Sequence, residues 1–254
     1  MDITPIQYRF SNADLKQIKA LGYSIESSEL EHIEYMINQY FTNFNLLNLL
    51  LTVEKQFSGI EDLKPLKIIN LKTKFNIHSI RVSFNNYIPK RTGKELKTNL
   101  SFIREFSHYQ GLIDVEHLFL LLPKAYRNNG LIKPIFQTSI QEYINMNVST
   151  ISLRASLDIG GYVWARIGFV ATVKSEVENI LLKAETNLKD HQFKIAKRIF
   201  DFYYEKYPNG KAFPMDLWAG LEFMKNVLIG STWSGEIDIK NKSQLDKLIK
   251  YAFS

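Results

Sequence analysis

The chain has 254 residues and no cysteine. That absence excludes a disulfide scaffold, a thiolate metal site and a cysteine nucleophile, and it suits a reducing cytosol, the expected compartment. Long apolar runs are missing too. The longest, LLNLLLTV at 46–53, falls far short of the roughly 20 residues that a membrane span needs. The opening residues MDITPIQYRF lack the basic-then-apolar order of a signal peptide, so none is expected. There is no fixed-period repeat and no low-complexity segment. Neither sign of charge dominates: 32 Lys and Arg against 26 Asp and Glu leave +6. Such mild basicity favours an anionic partner without choosing a phosphate-bearing cofactor, a nucleic acid or a membrane surface.

What is present is ordinary globular material, 45% hydrophobic and 23% charged. At about 150 residues per domain, the length allows one large domain or two small ones. A short helix is expected near 13–21. Ser28 and Glu31 form a capping-box pattern. Behind them, Leu30, Ile33, Ile37, Phe41 and Phe44 recur every three or four residues, predicting a helix over about 29–51 that breaks in the Asn-rich stretch 43–48. Ile80, Val82 and Phe84 alternate with polar neighbours, as do Leu100, Phe102, Arg104 and Phe106. These predict an antiparallel pair joined by a basic loop carrying Lys90, Arg91, Lys94 and Lys97 against Glu95.

A central strand is expected at 115–122, a helix starting at 131–133 with Pro134 in its first turn, and a strand at 149–155. A short helix from 158–162 closes at Gly168, and 169–172 reads as extended. The last third reads as helical: two helices dividing near Asp190 and His191, one at 215–228, and one at 243–251 capped by Ser243.

The stretch Arg127-Asn128-Asn129-Gly130-Leu131-Ile132 carries the chemistry. Gly130 permits positive φ or a close ligand approach. The first turn of the helix behind it leaves amides unpaired at the positive end of the dipole. Arg127, Lys124 and Lys133 surround that end, making a seat for phosphate or pyrophosphate. The stretch is neither a P-loop nor a Gly-x-Gly-x-x-Gly turn.

The order of elements resembles the GNAT superfamily of acyl-CoA-dependent N-acyltransferases. It runs from Leu118-Phe119-Leu120-Leu121-Leu122-Pro123, through Arg127 to Ile132 and Ile151-Ser152-Leu153-Arg154-Ala155, to Tyr162 and Gly168-Phe169. The resemblance spans about residues 75–172. It implies a mixed, twisted α/β sheet with helices on both faces. It also implies a CoA pyrophosphate on the backbone of Arg127, Asn128, Asn129, Gly130, Leu131, Ile132 and Lys133, with the pantetheine entering beside the strand holding Leu120 and Leu122. Two positions depart from the family: Ile132 stands where a small residue is usual, and Trp164 where a Tyr donates a proton to the leaving thiolate. That leaves Tyr162 or water as donor.

An amine nucleophile must lose a proton as it attacks, so a base is needed. Glu116 and His117 are the candidates, and as strand neighbours they face opposite sides. His117 also reads as a partnered core histidine, and Glu116 as a surface carboxylate. Gly160-Gly161 serves either passage of the cofactor or tight helix packing. His32, His78, His108 and His191 show no metal-ligand spacing, so no metal is assigned.

The expected organisation is a helical region at 1–71 within the same domain, a GNAT-like core at 72–172 and a mainly helical extension at 173–254. The expected activity is transfer of an acetyl or longer acyl group from acyl-CoA to an amine on a small molecule, peptide or protein. The alternative is a catalytically silent GNAT-like module of a toxin, phage or peptide-modification system. Nucleic-acid binding through the basic loop ranks third.

Overall fold

The computed structural model describes residues 3–27, 32–60, 63–86, 100–127, 129–156, 159–208 and 212–254. The capping-box residues Ser28 and Glu31, the basic loop with Lys90, Arg91, Lys94 and Lys97, and Asn128 lie outside them. Two compact units divide the chain between Ser149 and Thr150, inside the stretch expected to form one core.

The first unit holds helices α1 (Asn12–Ala20), α2 (Ile33–Tyr40), α3 (Leu46–Phe57) and α4 (Lys133–Asn145). Its strands are β1 (Ser24–Ser27), β2 (Leu66–Lys74), β3 (Ile77–Asn85), β4 (Ser101–Tyr109) and β5 (Leu112–Leu121), side by side in chain order. β1 runs parallel to β2 and the other neighbours are antiparallel, so the sheet is mixed. β1 and β2 fall in the region expected to be helical. The break between α2 and α3 comes where the asparagines predicted it: Asn43 adopts φ +64°, and the Asn45 side chain accepts from the Asn48 amide to start α3.

Period-two alternation turns Ile80, Val82, Phe84, Phe102, Arg104 and Phe106 into the core. Phe44 meets Phe106 at 4.6 Å between ring centroids, and Phe57 meets Phe84 at 5.2 Å. The opposite face carries polar rows, Lys72–Ser79–Ser107–Asp114 and Asn70–Arg81–Glu105–Glu116. These helix contacts all fall on one face; the second helical layer implied by the resemblance is not among them. Residues before α1 are held by asparagine side chains: Asn145 accepts from the Ile6 amide, Asn43 from Tyr8 and Asn38 from Phe10.

The second unit contains β6 (Thr150–Ala155), α5 (Gly160–Ile167), β7 (Val170–Ala171), α6 (Lys174–Asn187), α7 (Asp190–Lys206) and β8 (Phe213–Pro214). It continues with α8 (Asp216–Ala219), α9 (Lys225–Leu228), β9 (Trp233–Asp238) and α10 (Lys242–Phe253). Its strands are antiparallel in the order β6, β9, β7, β8.

Three sequence expectations change here. The single helix at 215–228 is two short α-helices around a 3-10 turn. β9 follows Gly230, which reaches φ +71°. Asn241, not Ser243, caps α10 by accepting from the Ser243 and Gln244 amides. Trp218 and Trp233 fill the core and donate to the carbonyls of Ala196 and Gly161.

Candidate functional site

β5 leads through Leu122 and buried Pro123 into a single 3-10 turn, Lys124–Tyr126. Arg127 donates from Nε to the Leu122 carbonyl at 2.9 Å, tying the turn back to the strand. Gly130 has φ +70° with open space where a Cβ would sit, so conformation rather than crowding calls for glycine. The Lys133 amide returns to the Gly130 carbonyl and α4 begins, with Pro134 in its first turn. Among the described residues no side chain caps this helix start. Asn129, Gly130 and Lys133 are exposed; Leu120, Leu122, Arg127, Leu131 and Ile132 are half-buried. The structure thus brings the predicted anion-seat residues, Asn128 aside, to one strand–turn–helix junction. The bulk of Ile132 is half-buried instead of projecting wholly over that junction.

The strand before the turn is irregular. Ile103 faces Phe119 and Glu105 faces Glu116, so His117 and Leu118 together stand opposite Arg104. This is a β-bulge with the extra residue on β5, a feature that bends a strand and commonly neighbours functional sites.

Beneath the bulge lies a buried polar cluster. The His117 Nε2 is 2.8 Å from the Tyr143 hydroxyl. Burial and the nearby Arg104 cation hold the imidazole well below its ordinary pKa of 6.5, so it is neutral. Arg104, 2% exposed, donates from Nη1 to the carbonyls of Ile103 and Phe119 and stacks its guanidinium 4.5 Å from the Phe102 ring centre. Among the described residues no carboxylate pairs with it.

The two candidate bases therefore part company. His117 is sealed in the core. Glu116 is exposed on the other face, opposite Glu105, which takes the Nε–H of Arg81 at 2.7 Å. Tyr162 belongs to the second unit. There its hydroxyl accepts from Arg166 at 3.3 Å and the Lys225 ammonium lies 5.7 Å from its ring centre.

Of the two glycines of α5, Gly161 is required by packing, whereas a Cβ on Gly160 would meet only Trp164 at an ordinary 3.7 Å. A Cβ on Gly161 would come within 2.4 Å of the Leu228 carbonyl and 2.7 Å of that of Ser231. Trp164 packs edge-on against Phe169 at 5.4 Å.

Sequence reasoning missed Glu142. It is buried on α4 and accepts from the Asn45 amide at 2.9 Å and from the Asn48 side chain at 3.2 Å, at the start of α3. Burial raises its pKa against these hydrogen bonds. The signal was present in the sequence as a carboxylate between core positions Ile140 and Tyr143 of one helix, next to an Asn-rich break in another.

Among the described residues no cluster of three or more His, Asp or Glu suits a metal, and no helix is long and apolar enough to cross a membrane. The fold is α/β, with a mixed sheet in the first unit and a strand–turn–helix junction following a bulged strand. No family model, curated protein or solved structure matches the chain.

Proposed function

We propose that the chain binds the phosphate-rich part of an acyl-CoA at the β5–α4 junction and transfers the acyl group to an amine. The observation that supports this most is the start of α4: a positive-φ glycine, no side-chain cap, and Arg127, Lys124 and Lys133 close by in sequence. Lys133 gives its amide to Gly130 and Pro134 has none, so the helix dipole and the neighbouring cations, more than free amides, favour an anion there.

The resemblance supplies the identity of the anion. The bulge adds support, because it diverts the β5 backbone where the pantetheine would lie and turns backbone groups away from strand pairing. In this reading backbone amides of β5 polarise the thioester carbonyl. Glu116, the exposed candidate base, accepts the amine proton directly or through water. Water protonates the leaving thiolate, since Tyr162 belongs to the other unit.

The sealed His117–Tyr143 contact favours a second reading, a CoA-binding module without acyl transfer, because it removes one of the two candidate bases from substrate.

One experiment separates the readings. Acetyl-CoA is incubated with the full chain and a panel of amines, and free thiol is followed colorimetrically. A cysteine-free protein adds no thiol background. Amine-dependent thiol release that falls in Glu116→Gln supports the enzyme. CoA binding without release supports the silent module. Absence of both overturns the CoA assignment.

A further inference from the structure

We infer that Arg104 is a positioning residue whose buried guanidinium sets the register of β5 beyond its bulge, and through it the placement of the anion-binding turn. The inference deepens the CoA reading and rests on it for the ligand, but the strand geometry stands apart from that reading.

Arg104 lies in the middle of β4, directly opposite the extra residue of the bulge. One of its nitrogens, Nη1, donates at 2.9 Å to Ile103 on its own strand and at 3.1 Å to Phe119 on β5. The guanidinium thus ties the two strands at the first regular pair past the irregularity. Its Nε is buried without an acceptor, and no carboxylate among the described residues offsets the charge. A buried cation held only by carbonyls, one hydroxyl neighbour and an aromatic face is a costly way to fill a core site. A leucine or methionine would suit the neighbouring Phe102 ring on packing grounds.

What the arginine supplies is a donor that reaches a carbonyl across the strand gap. Before the bulge, Ile113 and Val115 of β5 face the core; after it, half-buried Leu120 is the residue paired with core-facing Phe102. The parity of the strand changes at 117–118. Without a fixed bulge, the residues from Phe119 to Leu122 slip by one and every side chain exchanges faces. Leu122 is also the acceptor for Arg127, so the slip carries into the turn.

The absence of native cysteine allows a direct test. Ile103→Cys and Phe119→Cys together place two thiols opposite one another on the same face, and mild oxidation of the full chain should cross-link them. Adding Arg104→Met should abolish the cross-link while the melting temperature stays level or rises, since an apolar core residue replaces an unpaired charge. In the otherwise native chain, Arg104→Met should weaken CoA binding by about tenfold or more, because the turn is displaced. Arg104→Lys should restore part of both signals.

A purely structural arginine would instead lower the melting temperature and leave the cross-link intact, and that result overturns the inference. A lost cross-link with unchanged CoA affinity also overturns it, because register would then not govern the turn. If neither native chain nor variant binds CoA, the cross-link still decides the register while the CoA reading fails. If Arg104→Met does not fold, Arg104→Lys is read by the same cross-link, and native yield with native affinity overturns the inference.

Discussion

α3 and α4 begin in opposite ways, and both belong to the first unit. The start of α3 is closed from within: Asn45 caps it, and the carboxylate of Glu142 receives the Asn45 amide and the Asn48 side chain. The start of α4 has no cap and no acid in its first turn, and Lys133 is its first residue. Both starts carry the positive end of a helix dipole, although at α4 Lys133 already bonds the Gly130 carbonyl and Pro134 has no amide hydrogen. In α3 the chain supplies the anion itself, from α4. In α4 no acid of the first turn takes that role, and Lys124, Arg127 and Lys133 stand close by in sequence. This contrast is what singles out the start of α4 as the proposed site, since a helix start taken alone is a feature that every helix possesses.

The largest expected effect comes from opening the closed end. Glu142→Ala strands the Asn45 amide and the Asn48 and Asn145 side chains in a buried place, and should cost about 3 kcal/mol in urea unfolding, from several charge-assisted bonds. Glu142→Gln keeps an acceptor and should lose less. A loss below 1 kcal/mol for the alanine variant would show that water closes α3 equally well.

The carboxylate also has a pH signature. Its folded pKa is raised by burial, so the native state holds that proton more tightly than the unfolded chain. Its contribution should favour stability below the unfolded value near 4.5 and decline as pH rises through the raised one. Glu142→Gln should remove that decline.

The next effect concerns the buried histidine under the bulge. His117 has a folded pKa well below 6.5, so the unfolded chain takes up its proton first. Stability should fall as pH drops below 6.5, by at most about 1.4 kcal/mol per pH unit for one proton. His117→Gln should flatten the unfolding curve between pH 6.5 and 5. An unchanged slope would place the proton uptake elsewhere, at His78 for instance, whose pKa is also lowered by burial and by His108.

The smallest stability effect is the most diagnostic. Lys133→Glu gives α4 an acid at its first position, which suits the dipole and should add about 0.3–1 kcal/mol. The same change should weaken CoA binding by more than tenfold, because the end is then closed like that of α3. Gain of stability with loss of ligand is what the contrast between the two helices predicts. Equal loss of both would make Lys133 a structural residue.

Much of this architecture was legible beforehand. The period-two runs gave β3 and β4 with the right faces, Pro134 and Gly130 gave the start of α4, and Asn43 to Asn48 gave the break before α3. Three kinds of feature were hidden. Short strands such as β1 and β8 carry too few residues for a periodic signal. The bulge in β5 has no composition of its own, because VEHLFLLL reads as one continuous apolar strand whichever way its end faces. Partners far apart in the chain, such as Glu142 with Asn45, exist only once α3 and α4 pack together. The candidate site divides in the same way: the turn was readable as a local pattern, whereas the sealing of His117 by Tyr143 and the position of Arg104 opposite the bulge were not.

The most direct test of the open helix start is calorimetric titration of the full chain and of Lys133→Glu with CoA and with dephospho-CoA. The account predicts binding of CoA to the native chain, and a gain of about 2.7 kcal/mol in unfolding free energy at 100 times the dissociation constant. It also predicts loss of binding in Lys133→Glu. Absence of heat and of stabilisation with either ligand at millimolar concentration, or equal binding by both proteins, would contradict it.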